Sequence, residues 1–230
     1  PRSTRSVGFY LLACAAGVAT MIVVGGLVRL TRSGLSIVEW NPISGILPPL
    51  GERAWLRELA LYRASPEGRP VNAGMDLAGF QRIFLVEWVH RLLGRLVGLL
   101  VLLPLLVPRL RGAMSASLVR KLAALVLFFA AQGALGWLMV ASGLVDVPHV
   151  SPYRLASHLL AAFAIFAVLV HLALDELEAS RRTPFAPDPW GARIDGDDPG
   201  TALGTPEESL RFRRASLSLL LVVLVTVGFG

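Results

Sequence analysis

The sequence has little of what several classes of site are built from. Its 230 residues include one cysteine, Cys14, which excludes a disulfide within the chain and a cysteine-based metal site. The net charge is +6, but no basic motif for RNA or DNA binding is present, and the aromatic residues lie in or beside apolar runs. We therefore predict no nucleic-acid partner and interpret the arginines as residues that flank membrane helices.

Long apolar runs are what the sequence has in excess. Hydrophobic residues make up 54% of the chain, and the mean hydropathy is +0.63. Soluble domains contain roughly 45–50% apolar residues, and a helix that crosses a bilayer needs about 20 of them in succession. Four runs qualify, at 7–28, 84–107, 118–141 and 153–174. They predict an all-α polytopic membrane protein with a four-helix transmembrane bundle.

The segments around these runs predict the domain organisation. We expect an N-terminal four-helix bundle over 1–175 with an outer loop at 29–83, followed by a cytoplasmic-side linker over 176–214. A fifth apolar run at 215–230 is too short to cross a bilayer. The chain begins without methionine and stops inside that run. We therefore expect a fragment of a longer protein, with the fifth helix truncated and a C-terminal half missing.

The distribution of basic residues predicts the orientation. Near the predicted helix ends, eleven lysines and arginines lie on one side of the membrane and four on the other. This bias predicts a cytoplasmic N-terminus and an outer loop on the opposite side. Within that loop, apolar residues at helical spacing over 51–63 predict a short amphipathic helix on the membrane surface. Asp76 is a candidate N-cap for a helix that continues into the second span.

Two of the four histidines are candidates for a ligand pair. At a rise of about 1.5 Å per residue, His90 lies roughly 12 Å and His158 roughly 8 Å inside the start of two parallel helices. Histidines at similar depth can hold a planar cofactor between them, and bis-histidine heme is the common case. The alternative is a histidine that only hydrogen-bonds a neighbouring helix. We expect His149, in a short loop, to be solvated, and His171, about 20 Å further along its helix, to lie at the interface and outside this pair.

Small and basic residues near this pair are candidates for contacts with a porphyrin. Gly94 shares a helix face with His90 and leaves room for a flat ring, although a helix-packing role is the alternative. Arg154 lies one turn outside His158 and could meet propionate groups. Arg91 and Arg95 lie on another face of their helix, from which each could reach the surface, a second propionate or an acidic partner.

Glu87 allows two interpretations. It could form a structural ion pair with Arg91, four residues further along the helix, or with Arg154. It could instead be a buried carboxylate, one turn from a metal ligand, that moves protons or orients water. If the second interpretation holds, Glu87→Gln leaves heme binding intact and stops turnover.

Several stretches together resemble the heme A synthase family of bacterial and mitochondrial inner membranes. They lie at 25–50, 80–98, 132–146 and 151–159, and their most specific motifs are ExxHRxxGR, from Glu87, and YRLAxH, ending at His158. The resemblance covers nearly all of the chain outside the linker and the fifth run. Because the first outer loop has no cysteine, the chain resembles the cysteine-free branch of the family.

The resemblance implies a site and an architecture. It implies an eight-helix, pseudo-symmetric protein of two similar four-helix halves, with heme O bound as substrate in the half described by this chain. His90 and His158 would be its axial ligands, and Glu87 would be linked to catalysis. Heme b is expected in the other half. We also count as heme-contacting residues Arg91, Arg95, Arg154 and Gly94.

The implied activity is that of an oxidoreductase. It oxidises a methyl group of heme O to a formyl group and so makes heme A for cytochrome c oxidase. The expected partners are the lipid bilayer, heme O and heme A, heme O synthase, cytochrome oxidase assembly factors and a second copy of the chain. The expected location is the bacterial inner (plasma) membrane in preference to the mitochondrial one.

Two other classes of protein remain as alternatives. A non-enzymatic membrane b-type cytochrome would use the same histidines to hold a bis-histidine heme. A small transporter ranks last, because the sequence has no pair of helices broken by glycine or proline. Glu87 separates the enzyme from the cytochrome, since a bis-histidine carrier needs no acid one turn from its ligand.

Overall fold

Four long helices dominate the structure. The computed structural model describes residues 4–69, 72, 74–112, 114–144 and 150–182. The elements in these ranges are α1 (Thr4–Leu30), a 3₁₀ turn (Ser44–Ile46), α2 (Glu52–Ala64), α3 (Leu77–Leu106), α4 (Pro108–Arg111), α5 (Ala116–Gly143) and α6 (Pro152–Arg182). By length and composition α1, α3, α5 and α6 can each cross a membrane. The prediction of an all-α polytopic membrane protein is confirmed.

Local signals set the ends of the helices. The side chain of Asp76 accepts a hydrogen bond from Gly79 N at 2.8 Å, so the predicted N-cap of α3 is confirmed. The helix predicted over 51–63 is also present, as α2. α6 continues to Arg182, into the range predicted as linker. The remaining linker and the predicted fifth helix lie outside the described residues.

The long helices pack as a ring of four. α1 packs against α3 and α6, and α5 packs against the same two helices. α3 and α6 therefore lie diagonally opposite each other across the bundle. Each starts at the end that carries residues 31–76, which we call the loop end. A ligand held between α3 and α6 would lie on the axis of the bundle.

The buried side chains form two apolar clusters with a polar layer between them. One cluster joins α2 to the start of α3 through Leu59, Tyr62, Phe80 and Phe84. The other fills the half of the bundle remote from the loop end, through Leu11, Cys14, Ala15, Val18, Val97, Val101, Leu118, Leu122, Leu125, Ile165, Leu169, Leu172 and Ala173. His90 and Glu87 lie on α3 between the two clusters. Along α3, apolar packing thus lies on both sides of Glu87 and His90.

The segment after α1 turns back along α3 and α5. Leu35 packs at the position where Gly143 lacks a side chain, near the end of α5. Further along the segment, the rings of Trp40 and Trp137 lie 5.5 Å apart, and Asn41 reaches Arg95 of α3. From Gly143 to Trp137 the contacts move about 9 Å down α5, at about 1.5 Å per residue. The loop therefore supplies contacts well below the loop end.

Candidate functional site

His90 and His158 come together in the layer between the two apolar clusters. They belong to the diagonal helices α3 and α6, and their imidazoles are close enough for their charges to interact. Both side chains are partly buried. The sequence predicted similar depths for the two residues, and the ring of helices places them on diagonally opposite helices. Their role as a ligand pair stays a prediction.

Two glycines on the intervening helices clear the histidine rings. A Cβ at Gly25 of α1 would lie 3.2 Å from His90 Nε2. A Cβ at Gly136 of α5 would lie 3.0 Å from His158 Cε1. Both distances are shorter than ordinary van der Waals contacts, so a side chain at either position would require the imidazole to shift by a few tenths of an ångström. The close approach to His90 is specific to Gly25. A Cβ at the neighbouring Gly26 would meet none of the described atoms within 4 Å.

His158 carries a buried nitrogen that lacks a partner. Within the described part of the chain, His158 Nδ1 makes no hydrogen bond, and neither does Oε1 of Gln132. The Gln132 amide is nevertheless fixed on the same histidine, because its Nε2 donates to the main-chain oxygen of His158 at 2.7 Å. The Gln132 main-chain carbonyl also lies near enough to interact with the imidazole. A buried polar group without a partner costs roughly 1–3 kcal/mol, which makes this pair worth explaining.

Glu87 is buried and held by donors on both carboxylate oxygens. Oε2 accepts from Ser36 N at 2.8 Å, Ser36 Oγ at 2.7 Å and Ile37 N at 3.0 Å. Oε1 accepts from Nε and Nη2 of Arg91, at 3.0 and 2.6 Å. Only 3% of the Glu87 side chain is exposed, against 18% for Arg91. The structural ion pair that the sequence left open is therefore formed with Arg91.

Arg91 and Arg95 both tie the loop to α3. Arg91 Nη2 donates to the main-chain oxygen of Ile37 at 3.2 Å. One turn further along the helix, Arg95 Nε donates to Pro42 O at 3.0 Å and its Nη2 to Asn41 O at 3.1 Å. Main-chain oxygens carry no full charge, so Arg95 is solvated by the loop without being neutralised. Both arginines lie on the loop-facing side of α3.

The other two predicted site residues have different surroundings. Arg154 is exposed one turn from His158, and its Nη1 donates to Leu138 O at 3.3 Å. A Cβ at Gly94 would lie 3.2 Å from Met21 Cε of α1, which fits the helix-packing alternative for this glycine. Their role as heme-contacting residues stays a prediction.

Of the two remaining histidines, the structure describes His171, which lies outside this layer. His171 Nε2 lies 3.4 Å from Asp175 Oδ2, and 54% of the His171 side chain is exposed. It lies nearly four turns along α6 from His158, as its spacing in the sequence implies. His149 lies outside the described residues.

Sequence reasoning missed Ser36, Ile37, Gly25, Gly136 and Gln132. The contacts of Ser36 and Ile37 with Glu87 join residues about 50 positions apart, and no local periodicity signals them. The glycines belong to stretches that already stood out, GGLVR at 25–29 and QGALGW at 132–137. A glycine on an interior helix face beside a candidate ligand is the signal that could have found them.

The fold and these contacts define a class. It is a polytopic membrane bundle in which two diagonal helices present a histidine pair, with a buried carboxylate one turn from one of them. Residues 8–230 match the family COX15-CtaA, described as cytochrome oxidase assembly protein, and the chain belongs to this family.

Several curated relatives of this chain are named heme A synthase. A heme A synthase of Paramagnetospirillum magneticum is 50% identical over 78% of this chain and 51% of its own length. A heme A synthase of Sphingopyxis alaskensis is 49% identical over 81% of this chain and 52% of its own. The chain thus spans about half the length of the curated relatives it matches. No solved structure gives a significant match.

Proposed function

We propose that this chain is the heme O-binding half of a heme A synthase. The whole protein would oxidise a methyl group of heme O to a formyl group and so make heme A for cytochrome c oxidase. The names of the relatives support the activity, and the presence of His90 and His158 on the diagonal helices α3 and α6 carries the assignment of the substrate to this half. Heme iron takes two axial imidazoles from opposite sides, which matches ligands on diagonal helices.

The surroundings of the pair fit a porphyrin. Gly25 and Gly136 keep side chains away from the two imidazoles, and His158 Nδ1 is a buried ring nitrogen without a partner among the residues that the structure describes. A metal-ligating histidine ordinarily donates its second ring nitrogen to a neighbouring group, so the chemistry of Nδ1 is compatible with a ligand at Nε2. Arg154 is the arginine best placed for a propionate, because Arg91 and Arg95 already bind the carboxylate of Glu87 and the loop carbonyls.

We propose Glu87 as the residue that handles protons, with Ser36 as its partner. The Ser36 hydroxyl lies 2.7 Å from Glu87 Oε2 and 3.3 Å from Ile83 O. A hydroxyl can rotate between the two, so that it donates to the ionised carboxylate, or accepts from the protonated acid and donates to Ile83 O. Glu87 could then take up and release a proton without losing the bonds from Ser36 N, Ile37 N and Arg91.

The proposal also covers the parts of the protein beyond this chain. The second half would add four helices in a similar arrangement and hold heme b, through which electrons leave the site. The location would be the bacterial inner membrane, with the N-terminus in the cytoplasm. Heme O synthase, oxidase assembly factors and a second copy of the protein are the proposed partners.

The test is the chemical identity of the extracted porphyrin. Full-length protein would be expressed with a supply of heme O, beside His90→Ala and His158→Ala, and the porphyrins separated by chromatography. His171→Ala is the matched control, because His171 is also a histidine of α6 but lies outside the layer. We expect heme A in wild type and control, and heme O or its hydroxylated form in the other two. Heme b in every sample with no heme A would identify a b-type cytochrome and overturn the proposal.

A further inference from the structure

A partly buried glutamine, Gln132, is hydrogen-bonded to the backbone of His158 from the neighbouring helix. Its amide nitrogen donates to His158 O at 2.7 Å. That oxygen also belongs to the main-chain hydrogen-bond ladder of α6, so it does not depend on the glutamine for a partner. The oxygen therefore does not need this contact to be hydrogen-bonded, whereas the contact fixes the position of the Gln132 amide next to His158.

The two atoms left over are complementary. Gln132 Oε1 can only accept a hydrogen bond, and an imidazole Nδ1 that carries the proton can only donate one. Both atoms are buried and have no hydrogen-bond partner within the described residues. They belong to two residues that are already joined by the hydrogen bond from Gln132 Nε2 to His158 O. Gly136 lets the imidazole approach α5 at this level.

We propose that Gln132 is a positioning residue for His158. Its amide oxygen accepts the proton of Nδ1, which fixes the tautomer of the imidazole and turns Nε2 toward the bundle axis. This proposal rests on the proposed function, because Nε2 is assigned there as an axial ligand of heme iron. An acceptor on the second nitrogen also makes the imidazole a stronger donor to the metal.

The prediction concerns the iron as well as the activity. A stronger imidazole donor stabilises ferric over ferrous heme, so removal of the acceptor raises the reduction potential of the heme bound to His158. Loss of a second-shell partner ordinarily lowers metal affinity about 10–100-fold. A residue that only packed against α6 would change heme retention without changing the potential of the heme that remains.

The experiment is an optical redox titration of full-length, heme-loaded protein. The heme to follow is the component that disappears in His158→Ala. We expect its potential to rise in Gln132→Leu, which keeps the volume and removes both polar atoms, and its dissociation to be about 10–100-fold faster. Gln132→Glu keeps an acceptor oxygen in either protonation state, so it should retain heme and titrate at or below the wild-type potential. Gln81→Leu, at the other glutamine of the chain, should change neither.

The outcomes separate the two proposals. If His158→Ala removes a heme component but Gln132→Leu leaves its potential unchanged, the positioning role is overturned and the proposed function stands. If His158→Ala leaves every heme component in place, His158 is not a ligand and both proposals fail. A higher potential in Gln132→Leu that is reversed in Gln132→Glu supports the role, even if the leucine variant retains little heme.

Discussion

Arg91 meets Glu87 through two nitrogens on one carboxylate oxygen, with Nη2 at 2.6 Å and Nε at 3.0 Å from Oε1. The other oxygen of Glu87 is left to the loop, which reaches it through Ser36 and Ile37. The same guanidinium also donates to Ile37 O. Glu87, Arg91 and the Ser36–Ile37 segment therefore hydrogen-bond to one another, which holds the loop against α3 one turn from His90.

The first prediction concerns the stability of this junction. Arg91→Met leaves the Glu87 carboxylate buried without its cation, and breaking a buried pair in this way costs about 3–5 kcal/mol. In the double variant Glu87→Gln with Arg91→Met, the free energy of unfolding should fall by less than the sum of the decreases in the two single variants, because no uncompensated charge remains. Thermal unfolding in detergent measures both.

Arg82→Met is the matched control for this cycle, since Arg82 is an exposed arginine on the same helix. We expect its free energy of unfolding to lie within about 0.5 kcal/mol of the wild-type value, as is usual for surface substitutions. If Arg91→Met and Arg82→Met unfold at the same temperature, the ion pair of Glu87 and Arg91 does not stabilise the fold.

The second prediction separates the proton-handling role of Glu87 from its structural role. Ser36→Ala removes only the hydroxyl that can follow a proton on Glu87, and it leaves the ion pair and both main-chain donors in place. Because a positioned acid or base contributes roughly 10²–10⁴-fold, we expect Glu87→Gln to lose that much turnover and Ser36→Ala about tenfold. Heme content should be unchanged in Ser36→Ala. The measurement is the rate of heme A formation per bound heme.

Ser33→Ala is the control for the serine variant. Ser33 is as buried as Ser36 and lies in the same segment, but its hydroxyl pairs with Thr31 instead of Glu87. It should retain wild-type turnover. Equal losses in the two variants would assign the effect to the packing of the segment and count against a proton relay.

The third prediction concerns the glycines that clear the imidazoles. Gly25→Ala and Gly136→Ala would place a methyl group 3.2 Å from His90 Nε2 and 3.0 Å from His158 Cε1. Overpacking of this kind costs roughly 1–3 kcal/mol, so heme affinity should fall about 5–150-fold. Heme retained through purification gives the first comparison, and heme titration of the apoprotein gives the affinity.

The neighbouring glycines provide controls of the same chemistry. A Cβ at Gly26 or at Gly133 meets nothing within 4 Å. Alanine there should leave heme affinity unchanged and stabilise the helix by about 0.5–1 kcal/mol, because it lowers the entropy of the unfolded chain. Heme loss in Gly26→Ala as large as in Gly25→Ala would contradict the assigned facing of α1.

The fourth prediction concerns the loop. Arg95→Lys keeps the positive charge but lacks the planar fork that reaches Asn41 O and Pro42 O together. We expect faster amide hydrogen exchange at Gly45 and Ile46, whose amides bond to Asn41 and Ile43 in the same segment. Exchange within α3 should be unaffected. Unchanged protection at Gly45 would show that the loop is held by its other contacts.

The sequence predicted the helices because their signals are local. Twenty apolar residues, an N-cap at Asp76 and helical spacing over 51–63 each act within a few residues of one another. The end of α6 escaped prediction because residues 175–182 carry charges yet keep good helix formers, so the change in composition marks the end of the apolar run and not of the helix.

The site was only partly predictable. The depths of His90 and His158 follow from the helix rise, and the Glu87–Arg91 spacing predicts an ion pair. The partners from other elements do not follow, because Ser36 reaches Glu87 only once the loop has turned back along α3. Likewise, Gln132 meets His158 only because α5 and α6 pack side by side, which no single helix encodes.

The most direct test of the account is the low-temperature electron paramagnetic resonance spectrum of oxidised full-length protein loaded with heme O. Two axial imidazoles on one heme give a low-spin ferric signal. The account predicts that His90→Ala and His158→Ala each convert that signal to a high-spin one or lose it, whereas His171→Ala retains it. A low-spin heme O signal that survives both alanine substitutions would contradict a heme held between α3 and α6.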